Sequence, residues 1–400
     1  MSLNETASGE RLHIGFFGMR NAGKSSVVNR VTGQELSVVS DVLGTTTDPV
    51  KKAMELLPLG PVMIIDTPGI DDEGDLGALR VAKAKRVIAT CDVAVLVIDA
   101  AKGERAPDRD IRDHMKKRGV PCLTVYNKSD LLSTVPEERD DTVYVSAKND
   151  DGFARLREKI GHLAKKEESD RKLVSDLLSA GDHVVLVTPI DKAAPKGRLI
   201  LPQQQTIRDI LDCGCTCTVC RDEALEYTLS LFKEPPKMVI TDSQAFGRVS
   251  KIVPENILLT SFSILFARYK GDLSAAVKGA AMLSKIKDGD RILISEGCTH
   301  HRQCGDIGSV KLPQWIREKT GAEPIFEFTS GTTFPDRVAD YKLVIHCGGC
   351  MLTEKEMRYR GRAAADEGVP MTNYGTAIAA LHGILSRSLS PFPDIQKELD

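Results

Sequence analysis

The sequence is short of aromatic residues and of any excess charge. One tryptophan and an aromatic share of 5% leave few rings on which bases could stack, and a formal net charge of −2 offers no polyanion-binding face. Nucleic acid is therefore not an expected partner. No apolar run reaches the ~18 residues of a membrane-spanning helix, so no membrane association is expected. Residues 1–10 are polar and carry no signal-peptide pattern, which points to a cytoplasmic protein. Cysteine, by contrast, is plentiful, with ten in 400 residues. In a cytoplasmic chain this argues for metal or redox chemistry over disulfides.

The cysteines concentrate in two places. Near the C-terminus the chain reads Cys298-Thr299-His300 and, further on, His346-Cys347-Gly348-Gly349-Cys350. Each group follows a β-branched run, residues 291–295 and 342–345, of the kind that forms buried parallel strands. Open α/β sheets bind ligands at the carboxyl ends of their strands, so if these strands are neighbours both loops meet at one edge. Gly348-Gly349 lets the backbone bend between two thiols. Three thiols and a histidine could close a tetrahedral zinc site. Three thiols on a cubane iron–sulfur cluster would instead leave one iron without a cysteine.

The N-terminal third carries a nucleotide signature. A strand over residues 12–17 leads into Gly18-Met19-Arg20-Asn21-Ala22-Gly23-Lys24-Ser25, a full Walker A motif, with Ser26 on the same helical turn. Its backbone N–H groups cradle phosphate at a helix N-terminus. Lys24 would reach the β- and γ-phosphates and Ser25 would ligate Mg2+. A second strand ends in Asp66-Thr67-Pro68-Gly69, where Asp66 would hold the Mg2+ through water and the Gly69 amide would sense the γ-phosphate. Asn127-Lys128-Ser129-Asp130 follows a third strand, and the Asp130 carboxylate accepts from guanine N1 and N2, a pattern adenine cannot offer. Ser146-Ala147-Lys148 would support guanine O6. Four motifs in order, each at a strand end, predict GTP over ATP.

Gly44-Thr45-Thr46-Thr47-Asp48 lies where the first switch belongs. The domain resembles GTPases of the tRNA-modification and ribosome-assembly class. That resemblance makes Thr46 the Mg2+ ligand and puts Thr47 where those proteins carry arginine. It also offers Asn21 as a K+ ligand, the other reading being a simple turn residue. No glutamine follows Gly69; Glu73 is a substitute for positioning water or else a solvated acidic loop residue. Slow intrinsic hydrolysis is expected, as in a switch.

The GTPase domain is read as residues 1–168, closing on a periodic helix and a charged linker. Residues 173–265 form a small α/β middle domain with strands, helices and no catalytic constellation, suited to dimerisation. Its one unusual feature is Cys213-Gly214-Cys215-Thr216-Cys217-Thr218-Val219-Cys220, either a soft-metal site or a thiol-rich loop. Residues 266–400 alternate strand and helix, which predicts a parallel sheet. Asn373-Tyr374-Gly375 also falls at a strand end, where it could line the same mouth or cap a helix.

A GTPase head, a middle domain and the joined Cys-x-His and His-Cys-x-x-Cys motifs resemble HydF, the FeFe-hydrogenase maturation GTPase family, over essentially the whole chain. The resemblance implies a 4Fe–4S cluster on Cys298, Cys347 and Cys350, with a labile fourth iron. His300 and His346 match the motif histidines and are either ligands or hydrogen-bonding partners of the loop; His301, Cys304 and Asp306 are further candidates for the fourth position. It also implies a homodimeric scaffold that takes a transient diiron precursor from radical-SAM maturases and delivers it to apo FeFe-hydrogenase. The competing reading is a zinc-stabilised regulatory GTPase acting on RNA or ribosome assembly. A redox enzyme is a third, without a flavin or nicotinamide fingerprint to support it.

Overall fold

A computed structural model describes residues 8–34, 49–57, 59–70, 74–165, 171–189, 199–297, 306–331, 333–335 and 337–399. The chain divides into two compact units, residues 1–169 and 170–400.

The first unit is built on strands β1 (Leu12–Gly18), β2 (Val50–Leu56), β3 (Gly60–Asp66), β4 (Val93–Asp99), β5 (Cys122–Asn127) and β6 (Thr142–Val145). They lie in the order β2-β3-β1-β4-β5-β6, parallel except for the β2–β3 pair. The central strand β4 is apolar except for its terminal aspartate and buried at every position, as a strand covered on both faces must be. Helices α1 (Lys24–Thr32) and α4 (Phe153–Lys165) supply Val27, Val28, Leu156 and Ile160 to the core on one face. Helices α2 (Gly74–Thr90) and α3 (Ala106–Lys117) supply Val87, Ile88, Ile111 and Met115 to the core on the other. This is the P-loop GTPase fold.

The second unit holds two four-stranded parallel sheets. The first contains β7 (His183–Val187), β8 (Thr216–Cys220), β9 (Met238–Thr241) and β10 (Leu258–Ser261), in the order β10-β9-β7-β8. Helices α5 (Leu201–Asp212), α6 (Leu225–Ser230), α7 (Phe246–Ile252) and α8 (Phe262–Lys270) connect and flank it. The second contains β11 (Arg291–Ser295), β12 (Ile325–Thr329), β13 (Leu343–His346) and β14 (Met371–Asn373), in the order β12-β11-β13-β14. Its helices are α9 (Leu273–Ala281), α10 (Leu312–Thr320), α11 (Glu354–Asp366) and α12 (Tyr374–Leu381). One continuous core joins Val184, Ile240 and Phe266 to Val277, Ala379, Leu389 and Phe392, so the C-terminal segment packs back on the first of these sheets. Among the described residues no helix is long and apolar enough to cross a membrane.

The thiol-rich segment is not a loop throughout. Residues Thr216–Cys220 form β8, an edge strand registered on β7 from His183↔Thr216 to Val187↔Cys220. The β-formers Thr216, Thr218 and Val219 flank and separate the cysteines there, and the open edge of β7 recruits the segment into a strand. Strand alternation then puts Cys217 and Cys220 on opposite faces. Cys213 Sγ donates to the Ile210 carbonyl and Cys215 Sγ to the Ser179 carbonyl, both at 3.1 Å. The four thiols therefore do not converge on one ion.

Candidate nucleotide site and candidate metal centre

The Walker motif turns at the end of β1. Gly18, Asn21 and Gly23 all have positive φ, at 150°, 62° and 83°. A Cβ on Gly18 would lie 2.3 Å from the Val97 carbonyl oxygen, and one on Gly23 would lie 2.2 Å from Asn127 Nδ2, so both positions require glycine. Asn21, in the left-handed region, fills the turn role that asparagine tolerates. Ser25 and Ser26 sit half-buried on the first turn of α1.

Asn127 and Lys128, at the end of β5, hold this loop in place. Asn127 Nδ2 donates to the Ala22 carbonyl at 3.1 Å, while its Oδ1 accepts from the Ala147 amide at 3.2 Å. Lys128 Nζ donates to the Asn21 carbonyl at 2.9 Å and to Asp99 Oδ2 at 2.6 Å. Burial pushes the Asp99 carboxyl up, but the hydrogen bond and charge of Lys128 outweigh it and hold the group below its ordinary value. Ser146 Oγ donates to Asp130 Oδ1 at 2.6 Å, fixing that carboxylate, and Lys148, two residues after Ser146, is exposed. Lys24 Nζ pairs with Asp66 Oδ1 at 2.6 Å. Gly69 passes so close to Arg20 that a Cβ would lie 3.1 Å from its backbone. The structure thus brings Gly18, Asn21, Ala22, Gly23, Lys24, Asp66, Asn127, Lys128, Asp130, Ser146 and Ala147 to one edge of the sheet. Thr46, Thr47 and Glu73 lie outside the described residues.

In the second unit, β11 and β13 are parallel neighbours with Ser295 registered on His346. Their loops leave side by side, and the Cys347 amide donates back to the Ser295 carbonyl at 2.9 Å. Cys347 Sγ accepts two backbone hydrogen bonds, from Gly297 N at 3.0 Å and Gly349 N at 3.4 Å. Gly349 has φ 63°, and a Cβ there would lie 2.5 Å from Met357 Sδ. Burial pushes the Cys347 thiol up to about 11, only partly offset by the two amides. The protonated thiol is therefore the metal-free state at neutral pH, and a metal would displace its proton. Two amides aimed at one sulfur suit a thiolate and fit the donor chemistry of an iron–sulfur or zinc centre. Burial also raises the Cys350 thiol, opposed by the charge of Lys270. Cys298, His300, His301 and Cys304 lie outside the described residues. Among the described residues no three His, Cys, Asp or Glu side chains form a group able to hold a metal ion.

His346 closes β13 fully buried. Its Nδ1 lies 2.8 Å from the Cys347 carbonyl and its Nε2 lies 3.0 Å from Arg360 Nη1. Arginine has only donors, so Nε2 accepts and Nδ1–H donates. Both ring nitrogens are thus engaged, which supports the hydrogen-bonding reading of His346 over the ligating one. Asp306 caps a helical turn, with its Oδ2 accepting from the Ser309 amide at 3.0 Å. Asn373 caps α12, with Oδ1 accepting from Thr376 N at 2.9 Å, while Tyr374 donates to Glu296 Oε1 at 2.9 Å beside the cysteine loop.

Three side chains under this loop escaped the sequence reading: Lys270, Glu356 and Arg360. Arg360 is fully buried, donates from Nε to Glu356 Oε1 at 2.8 Å and from Nη2 to the Gly331 carbonyl at 2.9 Å, and lies over the Phe334 ring. The only sequence trace of this network is the i,i+4 spacing of Glu356 and Arg360, which is common on any exposed helix.

Comparison with known proteins matches three family models. Residues 13–128 match the 50S ribosome-binding GTPase model, residues 173–271 the hydrogen maturase F dimerization domain, and residues 274–391 the hydrogen maturase F tetramerization domain. Curated relatives match over part of the chain. The tRNA modification GTPase MnmE of Thiobacillus denitrificans is 35% identical over 152 residues, 38% of this chain and 33% of its own length. The GTPase Der of Kosmotoga olearia is 29% identical over 216 residues, 49% of this chain and 48% of its own. The chain spans about a third of the length of the MnmE relatives it matches. The solved structure of Aquifex aeolicus Era bound to GDP.AlF4- is 20% identical, covers 52% of this chain and 94% of its own, with a TM-score of 0.34. An N-terminal GTPase domain followed by both domains of hydrogen maturase F places the chain in the hydrogen maturase F (HydF) family.

Proposed function

We propose that this protein hydrolyses GTP slowly and serves as a scaffold for assembling the FeFe-hydrogenase cofactor. It takes a diiron precursor from radical-SAM maturases and passes it to apo FeFe-hydrogenase. The carrying observation is the sulfur of Cys347, met by the Gly297 and Gly349 amides where two parallel strands end together. Cys298, Cys347 and Cys350 would hold a 4Fe–4S cluster at that edge, with His300, His301, Cys304 or Asp306 as candidates for the fourth position. When bound, the cluster would supply a fourth iron outside the Cys298, Cys347 and Cys350 set, open to a ligand from the cargo where that position is labile. The chain's residues orient the thiolates, aim amides at sulfur and keep the loop dry. Domain limits of 1–168, 173–265 and 266–400, a homodimer through the middle domain and a cytoplasmic location complete this reading.

In the GTPase domain, Lys24 and Asp66 pair with each other here, and GTP with Mg2+ would draw them apart onto phosphate and metal. Thr46 and Ser25 would complete the Mg2+ shell, the Gly69 amide would follow the γ-phosphate, Lys148 would flank the base, and Asn21 would hold K+. No glutamine follows Gly69, which leaves water poorly positioned and turnover slow. Anaerobic reconstitution with iron and sulfide, followed by EPR of the reduced protein, tests the cluster. A 4Fe–4S signal lost in Cys347→Ala and in Cys298→Ala is expected. Stoichiometric zinc in place of a cluster would overturn the proposal in favour of a zinc-stabilised regulatory GTPase.

A further inference from the structure

The cysteine loop rests on a cation that arrives from the other sheet's helices. Lys270 is the last residue of α8, within the segment matched by the dimerization model, whereas the loop belongs to the segment matched by the tetramerization model. The side chain is 3% exposed. Its Nζ donates to the carbonyls of Leu352 at 2.7 Å, Cys350 at 3.1 Å and Gly349 at 3.4 Å, and lies 5.5 Å from the Phe266 ring centroid. Three consecutive-turn carbonyls of one loop therefore face one ammonium.

Burying an ammonium is costly unless its donors are satisfied. Lysine has three donors, and three loop carbonyls meet them. The arrangement holds the Gly349–Leu352 turn in the shape that presents both the Cys350 thiol and the Gly349 amide. It also fixes a positive charge beneath a loop that would carry thiolates. Cluster potentials respond to net charge and hydrogen bonding nearby, and a cation in a poorly screened site favours the more negative, reduced state.

We infer that Lys270 is a positioning residue for the cysteine loop, setting both the retention and the reduction potential of the cluster bound there. The inference rests on the cluster reading of the preceding subsection. It also makes α8 the element through which the middle sheet and the cysteine loop are joined.

The test compares reconstituted full-length wild type, K270M and K270R. Readouts are the thermal melt of each apoprotein, the midpoint potential from EPR-monitored titration, and the rate of iron release to a chelator. K270M is expected to have a more negative midpoint and about tenfold faster iron release, the scale of one lost charge-assisted hydrogen bond. K270R keeps the charge and is expected to restore the midpoint. A K270M protein that melts like wild type and keeps its midpoint and release rate overturns the inference. If K270M does not fold, K270Q, uncharged but still a donor, is read with the same expectations. Absence of any 4Fe–4S signal in wild type is a distinct result that removes the cluster reading itself.

Discussion

Arg360 Nη1 lies 3.0 Å from His346 Nε2, and both side chains are completely buried. This contact turns the motif histidine toward the interior of the sheet edge. Burial and the neighbouring guanidinium charge push the His346 imidazole down to about 3, partly opposed by the Cys347 carbonyl it donates to. It is a neutral ring locked in one tautomer, fixing the backbone at the residue that carries the first thiol of the pair.

Replacing His346 should therefore act on the loop. His346→Ala leaves an Arg360 donor and the Cys347 carbonyl unsatisfied, at about 1–3 kcal/mol for a buried polar group. His346→Gln, which can both accept and donate, is expected to recover most of that loss and to keep the wild-type EPR line shape. A change of line shape with unchanged stability would assign the histidine to the metal instead.

Arg360→Ala should be more damaging. It strands the buried carboxylate of Glu356 and empties the space over Phe334. Removal of one partner of a buried ion pair costs about 3–5 kcal/mol. Chemical denaturation should show that loss in the transition of the second unit, with the GTPase transition unmoved.

Gly349→Ala tests the turn between the two thiols. The left-handed φ of 63° and the 2.5 Å approach of Met357 Sδ both penalise a side chain. The turn would open and withdraw the Gly349 amide from Cys347 Sγ. Iron bound per chain after reconstitution should fall, and Met357→Ala in the same chain should recover part of it by removing the clash.

Asp130→Asn should change the preferred base. In the proposed site the carboxylate held by Ser146 would accept from the guanine N1 and N2 donors, whereas an amide would offer donors to a base that carries a carbonyl at C2. Charge-assisted hydrogen bonds contribute ~1.5–3 kcal/mol, so GTP affinity should drop about tenfold or more. Affinity for xanthosine triphosphate should rise, as read by nucleotide titration.

The first sheet of the second unit should weaken in mild acid. Burial lowers His183, whose ring nitrogens contact Thr216 and Thr218 across the β7–β8 pair. A histidine depressed in the folded state binds a proton more readily when unfolded, so stability is full above about 6.5 and falls below it. The melting temperature of His183→Gln should depend less on pH between 7 and 5 than that of wild type.

The phosphate-loop turn was legible in the chain as a local signal, and the positive φ values of Gly18, Asn21 and Gly23 meet it. Its nucleotide motifs are runs of adjacent residues, each at the end of a strand, and local chemistry specifies the turn. Neighbouring placement of the two cysteine loops was legible as a condition, and the β11–β13 register meets it. Tertiary structure decided the rest. β8 forms because β7 offers an open edge, which no composition rule for a cysteine-rich stretch reveals. Lys270 and Arg360 look like ordinary surface cations in sequence. They become the supports of the cysteine loop because helix packing carries α8 and α11 beneath it and removes water from their charges. Burial and long-range contact are properties of the assembled fold, and they set what those two residues do.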